Sequence, residues 1–111
     1  MESEKTNAQM RKGILDYCIL LIISRKDAYV PDVISLLKDS GLHVVEGTLY
    51  PLLMRLKNNG CLDYRWEESS SGPPRKYYKI TEMGLQILQE LDRDWHELEE
   101  SIHYLKNYKP E

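Results

Sequence analysis

Cysteine is scarce in this 111-residue sequence, with Cys18 and Cys61 the only two. Neither lies in a CxxC pair or at metal-ligand spacing, so no disulfide framework or zinc site is expected, and both read as reduced thiols. Long hydrophobic runs are missing as well. The longest, from Tyr17 to Ile23, is far short of the roughly 20 residues a membrane span needs, and no signal-peptide cleavage pattern accompanies it. The expectation is a soluble, cytoplasmic chain with no membrane contact. No glycine-rich phosphate loop and no pair of carboxylates in a glycine-framed cleft is present. Cys18 sits in the most apolar segment, where a thiol is raised in pKa and inert, and Cys61 reads as a small buried residue. Catalysis and a cofactor are therefore not expected. An excess of positive charge is absent too, since the formal net charge is −3. A uniformly basic nucleic-acid binder is excluded on that ground, although opposite segments can cancel.

They do cancel. Residues 11 to 80 hold 11 Lys/Arg against 8 Asp/Glu, a net +3, and residues 81 to 111 hold 3 against 8, a net −5. The length suits one small domain that a partner subunit would help to stabilise. Two parts are expected within it: residues 1 to 80, an N-terminal arm and a compact body, and residues 81 to 111, a long helix and tail.

The polar opening over residues 1 to 7 has no periodicity and reads as a mobile arm. A first helix is expected from near Ala8, with "GILDYCILLIIS" apolar on almost every side, as in a helix enclosed by others. After the short connection "RKDAY", Pro31 suits the first position of a second helix, and Gly41 suits its stop. In "GTLYPLLMRLKNNG", Leu49, Leu52, Leu53 and Leu56 recur at i, i+3, i+4 and i+7, which marks one buried face of a third helix. Pro51 removes a backbone donor early in that helix and predicts an irregular start. "CLDYRWEE" and "RKYYKI" are rich in β-favouring residues and flank "SSSGPP", so a hairpin with a long tip is expected, its prolines clear of the ladder. Thr81 can cap a last helix. Leu88, Leu91, Trp95, Leu98, Ile102 and Leu105 then follow at spacings of three and four, a heptad seam. From about Glu82 to Tyr104 that helix would be about 35 Å long. It overhangs so small a body, and a second copy is the economical partner for its seam.

Three helices followed by a hairpin is the order of a winged helix-turn-helix, with the third helix in the major groove and the hairpin on the flanking backbone. The fold class expected is therefore mainly α with a β-hairpin, a winged helix-turn-helix plus a long C-terminal dimerisation helix. On the outward face of the third helix, Thr48, Tyr50 and Arg55 are candidates for base or close backbone contacts. Lys57, with Arg75 and Lys76 of the hairpin, is a candidate for phosphate contacts. Each has an ordinary alternative, a solvated helix face or a lysine-rich edge strand. His96, Glu100 and His103 share a helix face at i, i+4 and i+7 but lack a fourth ligand, so they read as part of an exposed charged face and no metal is expected.

"GTLYPLLMRLKNNGCLDYRW" followed by "GPPRKYYKITEMG" resembles the signature of the PadR family of bacterial transcriptional regulators, especially its small members. The resemblance runs from about Met10 to Leu105, and "AYVPDVI" departs from the family's usual Tyr-Gly-Tyr-x-Ile. It implies a homodimeric repressor whose acidic C-terminal helix packs on its partner and whose two recognition helices read an inverted repeat in double-stranded DNA, grooves about 34 Å apart. In multidrug-sensing members a tryptophan at the same spacing from the capping threonine stacks on flat aromatic ligands. Trp95, with Tyr17 and Met10 as neighbours, would correspond to such a platform for a small planar hydrophobic ligand; otherwise Trp95 fills the dimer core. A different class stays open: a protein–protein interaction adaptor that uses the winged helix as a scaffold without specific DNA binding.

Overall fold

The computed structural model describes residues 13–111. The expected arm over residues 1 to 7, the helix start near Ala8, and Met10 lie outside the described residues. Helix α1, Leu15–Arg25, is the centre of the body. Ile19, Leu20 and Ile23 are buried, and the helix touches the second, third and last helices and the last strand. Its near-uniform apolarity is therefore what its position requires.

The connection after α1 is not featureless. Ala28–Tyr29 forms a short strand, β1, pairing antiparallel with residues Tyr78 and Tyr77. The sheet thus has three strands rather than the two of a bare hairpin. Helix α2, Val30–Asp39, follows at once with Pro31 in its first turn. It ends in a Schellman turn: Gly41, at φ +98°, donates to the Lys38 carbonyl at 2.9 Å, and Leu42 donates to Leu37 at 2.8 Å.

Helix α3, Glu46–Asn58, buries Leu49, Leu53 and Leu56. The irregular start expected from Pro51 is slight. The helix runs through the proline without a break, and its first turn is closed by paired bonds from Thr48 and Leu49 to the Val45 carbonyl at 3.0 and 3.1 Å. Proline disturbs a helix through the carbonyl four residues back, and here that residue is Gly47 in the exposed first turn of α3, where solvent can replace the missing N–H. Helix α3 ends as α2 does, with Gly60 at φ +83° donating to Lys57 at 3.0 Å and Cys61 donating to Leu56 at 2.9 Å.

Strands β2, Leu62–Ser69, and β3, Gly72–Ile80, pair antiparallel from Leu62↔Ile80 to Ser69↔Gly72, giving the sheet order β1-β3-β2. The expected long tip is shorter than "SSSGPP". Pro73 and Pro74 fall within β3, in the irregular stretch where the register shifts between Glu67 and Ser69, a place where a missing donor is tolerated.

Helix α4, Glu82–Asn107, runs for 26 residues. Its start is anchored by Thr81, which accepts a bond from the Gly84 N–H at 3.0 Å and donates to the Gly60 carbonyl at 2.6 Å. The Thr81 N–H also bonds the Cys61 carbonyl at 3.0 Å. One residue thus ties the end of α3 to the beginning of α4. Within the seam, Leu88 is buried in the subunit's own core and Leu91 packs against it. That corrects the dimer assignment of Leu88, whose surface is already covered. From Asp92 onward every residue of α4 is exposed. No helix among the described residues is long and apolar enough to cross a membrane.

Candidate nucleic-acid interface

Burial of Leu49, Leu53 and Leu56 turns the opposite side of α3 outward. Gly47, Pro51, Met54 and Asn58 lie at i, i+4, i+7 and i+11 along its exposed middle. Thr48 and Tyr50 flank that stripe on opposite sides, both exposed. Near the stripe's start the side chains are small, so a flat surface could approach the helix closely there.

Arg55 does not stand free on this face. Its Nη2 bonds both carboxylate oxygens of Asp16 in the first turn of α1, at 2.6 and 2.5 Å. Both side chains keep much of their exposure, so the pair contributes about 1 kcal/mol or less to stability. Arg55 is therefore a link between α1 and α3 and is drawn away from the outer surface.

The hairpin supplies the remaining cations, and the pleat sorts them. Leu62, Tyr64, Trp66, Lys76, Tyr78 and Ile80 alternate onto one face. Asp63, Arg65, Glu67, Arg75, Tyr77 and Lys79 alternate onto the other. Arg75 and Lys76, adjacent in sequence, therefore point to opposite sides of the wing. Lys76 sits with Nζ 4.0 Å from the centroid of the Tyr64 ring and 5.1 Å from that of Tyr78. Lys57 reaches the same Tyr64 ring from the last turn of α3, at 5.5 Å. Arg75 lies over Tyr29 of β1 at 5.2 Å. Arg65, over Tyr77 at 4.8 Å, is neutralised by Asp27 at 3.0 Å and Glu67 at 3.4 Å.

Tyr64 is thus a hub where the third helix and the wing bring two ammonium groups together. Reading the sequence for cations missed it, and missed Tyr29 and Asp16 too. The alternation of Leu62, Tyr64 and Trp66 was the available signal for Tyr64. Nothing local in the sequence marks Tyr29 as a strand residue or Asp16 as the partner of Arg55.

At α4, Tyr17 and Trp95 are brought together with ring centroids 6.4 Å apart and planes tilted by 46°. The Tyr17 hydroxyl donates to Asp92. That bond, then burial, pushes the phenol pKa up to about 12, so it remains a proton donor across the physiological range. Trp95 is 39 % exposed, and Leu98, Ile102 and Leu105 are more exposed still. His96 pairs with Glu100 at 3.1 Å, whereas His103 meets Asn107, so the candidate metal face is engaged within its own helix. Burial pushes both thiols, Cys18 and Cys61, above their usual pKa.

Comparison with known proteins yields a consistent set of relatives. The family model described as "Transcriptional regulator PadR-like family" matches residues 19–90. A PadR-like transcription factor structure from Bacteroides fragilis is 52% identical, covering 91% of this chain and 98% of its own, with a TM-score of 0.77. A PadR family transcriptional regulator from Eggerthella lenta DSM 2243 is 33% identical, covering 96% and 94%, with a TM-score of 0.86. A PadR-like transcriptional regulator from Bacillus cereus is 37% identical, covering 91% and 99%, with a TM-score of 0.81.

Proposed function

The chain belongs to the PadR-like family of transcriptional regulators, and from that membership we propose that it acts as a homodimeric repressor of an inverted-repeat operator. As a member it regulates transcription and is not an enzyme. Helix α3 would enter the major groove and the β2–β3 wing would follow the adjoining backbone. The observation that carries this reading is the convergence of Lys57 and Lys76 on Tyr64, which makes helix and wing one continuous cationic edge. Thr48 and Tyr50 would face base edges, with Lys57, Lys76 and Arg75 on phosphates. Arg55 would join them only by exchanging Asp16 for a phosphate.

Lys57→Ala combined with Lys76→Ala tests the edge. Each phosphate contact contributes a slope of about 0.9 to the dependence of log affinity on log salt. The double variant should therefore bind all duplexes more weakly, with that slope smaller by about two per subunit. Fluorescence anisotropy at several salt concentrations measures it. An unchanged slope sinks the assignment of these lysines.

The dimer half of the proposal is supported by Trp95, Leu98, Ile102 and Leu105, an apolar stripe left exposed on a charged helix. The nearness of Tyr17 to Trp95 supports a small planar hydrophobic effector between the subunits, released DNA being the consequence of its binding. Flat aromatic dyes should quench tryptophan emission in Trp66→Phe, where Trp95 is the remaining indole. The absence of quenching at micromolar dye counts against an effector platform.

A further inference from the structure

Among the described residues of the hairpin, Trp66 is the large apolar side chain left most open, with 62 % of its surface exposed. Its strand face explains how this happens. Along β2 the same face passes from Leu62, buried, to Tyr64, half buried, to Trp66, beyond the reach of α3 and the core. Folding gains little from an indole there, and an exposed indole costs solubility.

Four observations indicate what covers it. Trp66 stands opposite Lys76 in the ladder, so indole and ammonium share one face. Its ring meets Tyr64 edge-on, at 6.3 Å between centroids and 86° between planes, which restrains the indole. The Tyr64 ring is also the one that Lys76 and Lys57 overlie, at 4.0 and 5.5 Å. Glu67, the next residue, is turned to the opposite face, where Arg65 binds it at 3.4 Å. The indole is therefore an apolar plate continuous with a cationic edge, and its surroundings match a polymer that alternates apolar rings with anionic groups.

We propose that Trp66 is a DNA-contacting residue, its indole packing on deoxyribose rings of one strand while Lys76 and Lys57 engage the phosphates beside them. The inference rests on the reading of α3 and the wing as the DNA surface, and it adds an apolar anchor to that surface. An apolar contact releases no counterions, so it has a signature that a lysine contact lacks.

The test uses the full chain and a labelled mixed-sequence duplex. Trp66→Ala should lower affinity about tenfold, the scale of removing one partly buried large apolar side chain from a contact, and leave the salt slope equal to that of the wild type. Trp66→Phe should recover most of the loss. In Trp95→Phe, emission from Trp66 should become protected from acrylamide when the duplex is added. Circular dichroism and sedimentation on Trp66→Ala should match the wild type. Wild-type affinity in Trp66→Ala overturns the inference, and so does a change in its sedimentation, which would assign the indole to contact between copies of the chain. Failure of the wild type itself to bind any duplex would instead overturn the underlying DNA-binding reading.

Discussion

Gly84→Ala is expected to destabilise the fold by about 3 kcal/mol, toward the upper end of the cost of forcing one extra carbon into a packed site. For a chain of this size that corresponds to a fall in melting temperature on the order of 15 °C. The position tolerates no side chain. A Cβ on Gly84 would overlap the carbonyl oxygen of Cys61 and lie 2.7 Å from Ile80 Cγ1. The obstacle is backbone, and that backbone is itself pinned: the Cys61 N–H closes the Schellman turn of α3, and its carbonyl accepts from Thr81. Relief would require moving α4 off the α3–β2 junction, breaking the Thr81 cap as it goes. Ordinarily alanine favours a helix over glycine by about 1 kcal/mol, so propensity alone predicts the opposite sign. Thermal melts followed by circular dichroism decide between the two. A melting temperature at or above that of the wild type would show that the α4 start is free to shift.

If the chain is the homodimer proposed above, Leu98→Glu together with Ile102→Glu should convert it to a monomer, with the dissociation constant raised about thousandfold. Leu98 and Ile102 are 55 and 51 % exposed and touch none of the subunit's core, so the subunit should keep its fold. Burying such a side chain fully is worth about 1.5 to 3 kcal/mol, and a two-fold axis counts each residue twice. Both side chains are already about half covered, and half of that gain, roughly 3 to 6 kcal/mol, spans the roughly 4 kcal/mol of a thousandfold change. The substitutions also place carboxylates against a second helix that is itself acidic. Sedimentation equilibrium measures the constant. A double variant that sediments as the wild type would assign the seam some other role. Leu88 provides the contrast: its replacement should damage the subunit itself, because its side chain belongs to the core.

How much of this was legible in the sequence varied with the range of the interaction. The inward face of α3 was legible because a helix repeats its burial every turn, and Leu49, Leu53 and Leu56 carry that period. The stop at Gly41 was legible for another local reason, since glycine takes the left-handed conformation that ends a helix without strain. Strand β1 was not, since two residues carry no periodicity and Ala28 and Tyr29 become a strand only because β3 offers them an edge. The heptad from Leu88 to Leu105 was legible as a pattern, but a pattern does not record where one subunit's core ends. The sequence therefore could not separate Leu88 and Leu91 from the exposed residues beyond them. Arg55 shows the same limit for charge. Its helix position allowed an outward reading, and an Asp16 39 residues away turned it aside. The "Ile-Thr-x-x-Gly" segment was recognisable without being explained. Its physical content is the Thr81 bonds and the absence of room at Gly84.

The acidic balance of α4 gives the elongated molecule, 68 × 36 × 21 Å, an uneven electrical character. Residues 81 to 111 carry −5, and the preceding body, residues 11 to 80, carries +3. A pI near 5.6 describes neither end. In a fractionation at neutral pH and low salt, the exposed end of α4 should hold the protein on an anion exchanger, while the wing cations retain it on a sulfated polyanion. A rod-like polyanion in solution meets the same asymmetry. Within about a Debye length it is pushed from the α4 end and drawn to the wing, so the encounter is oriented before any contact forms.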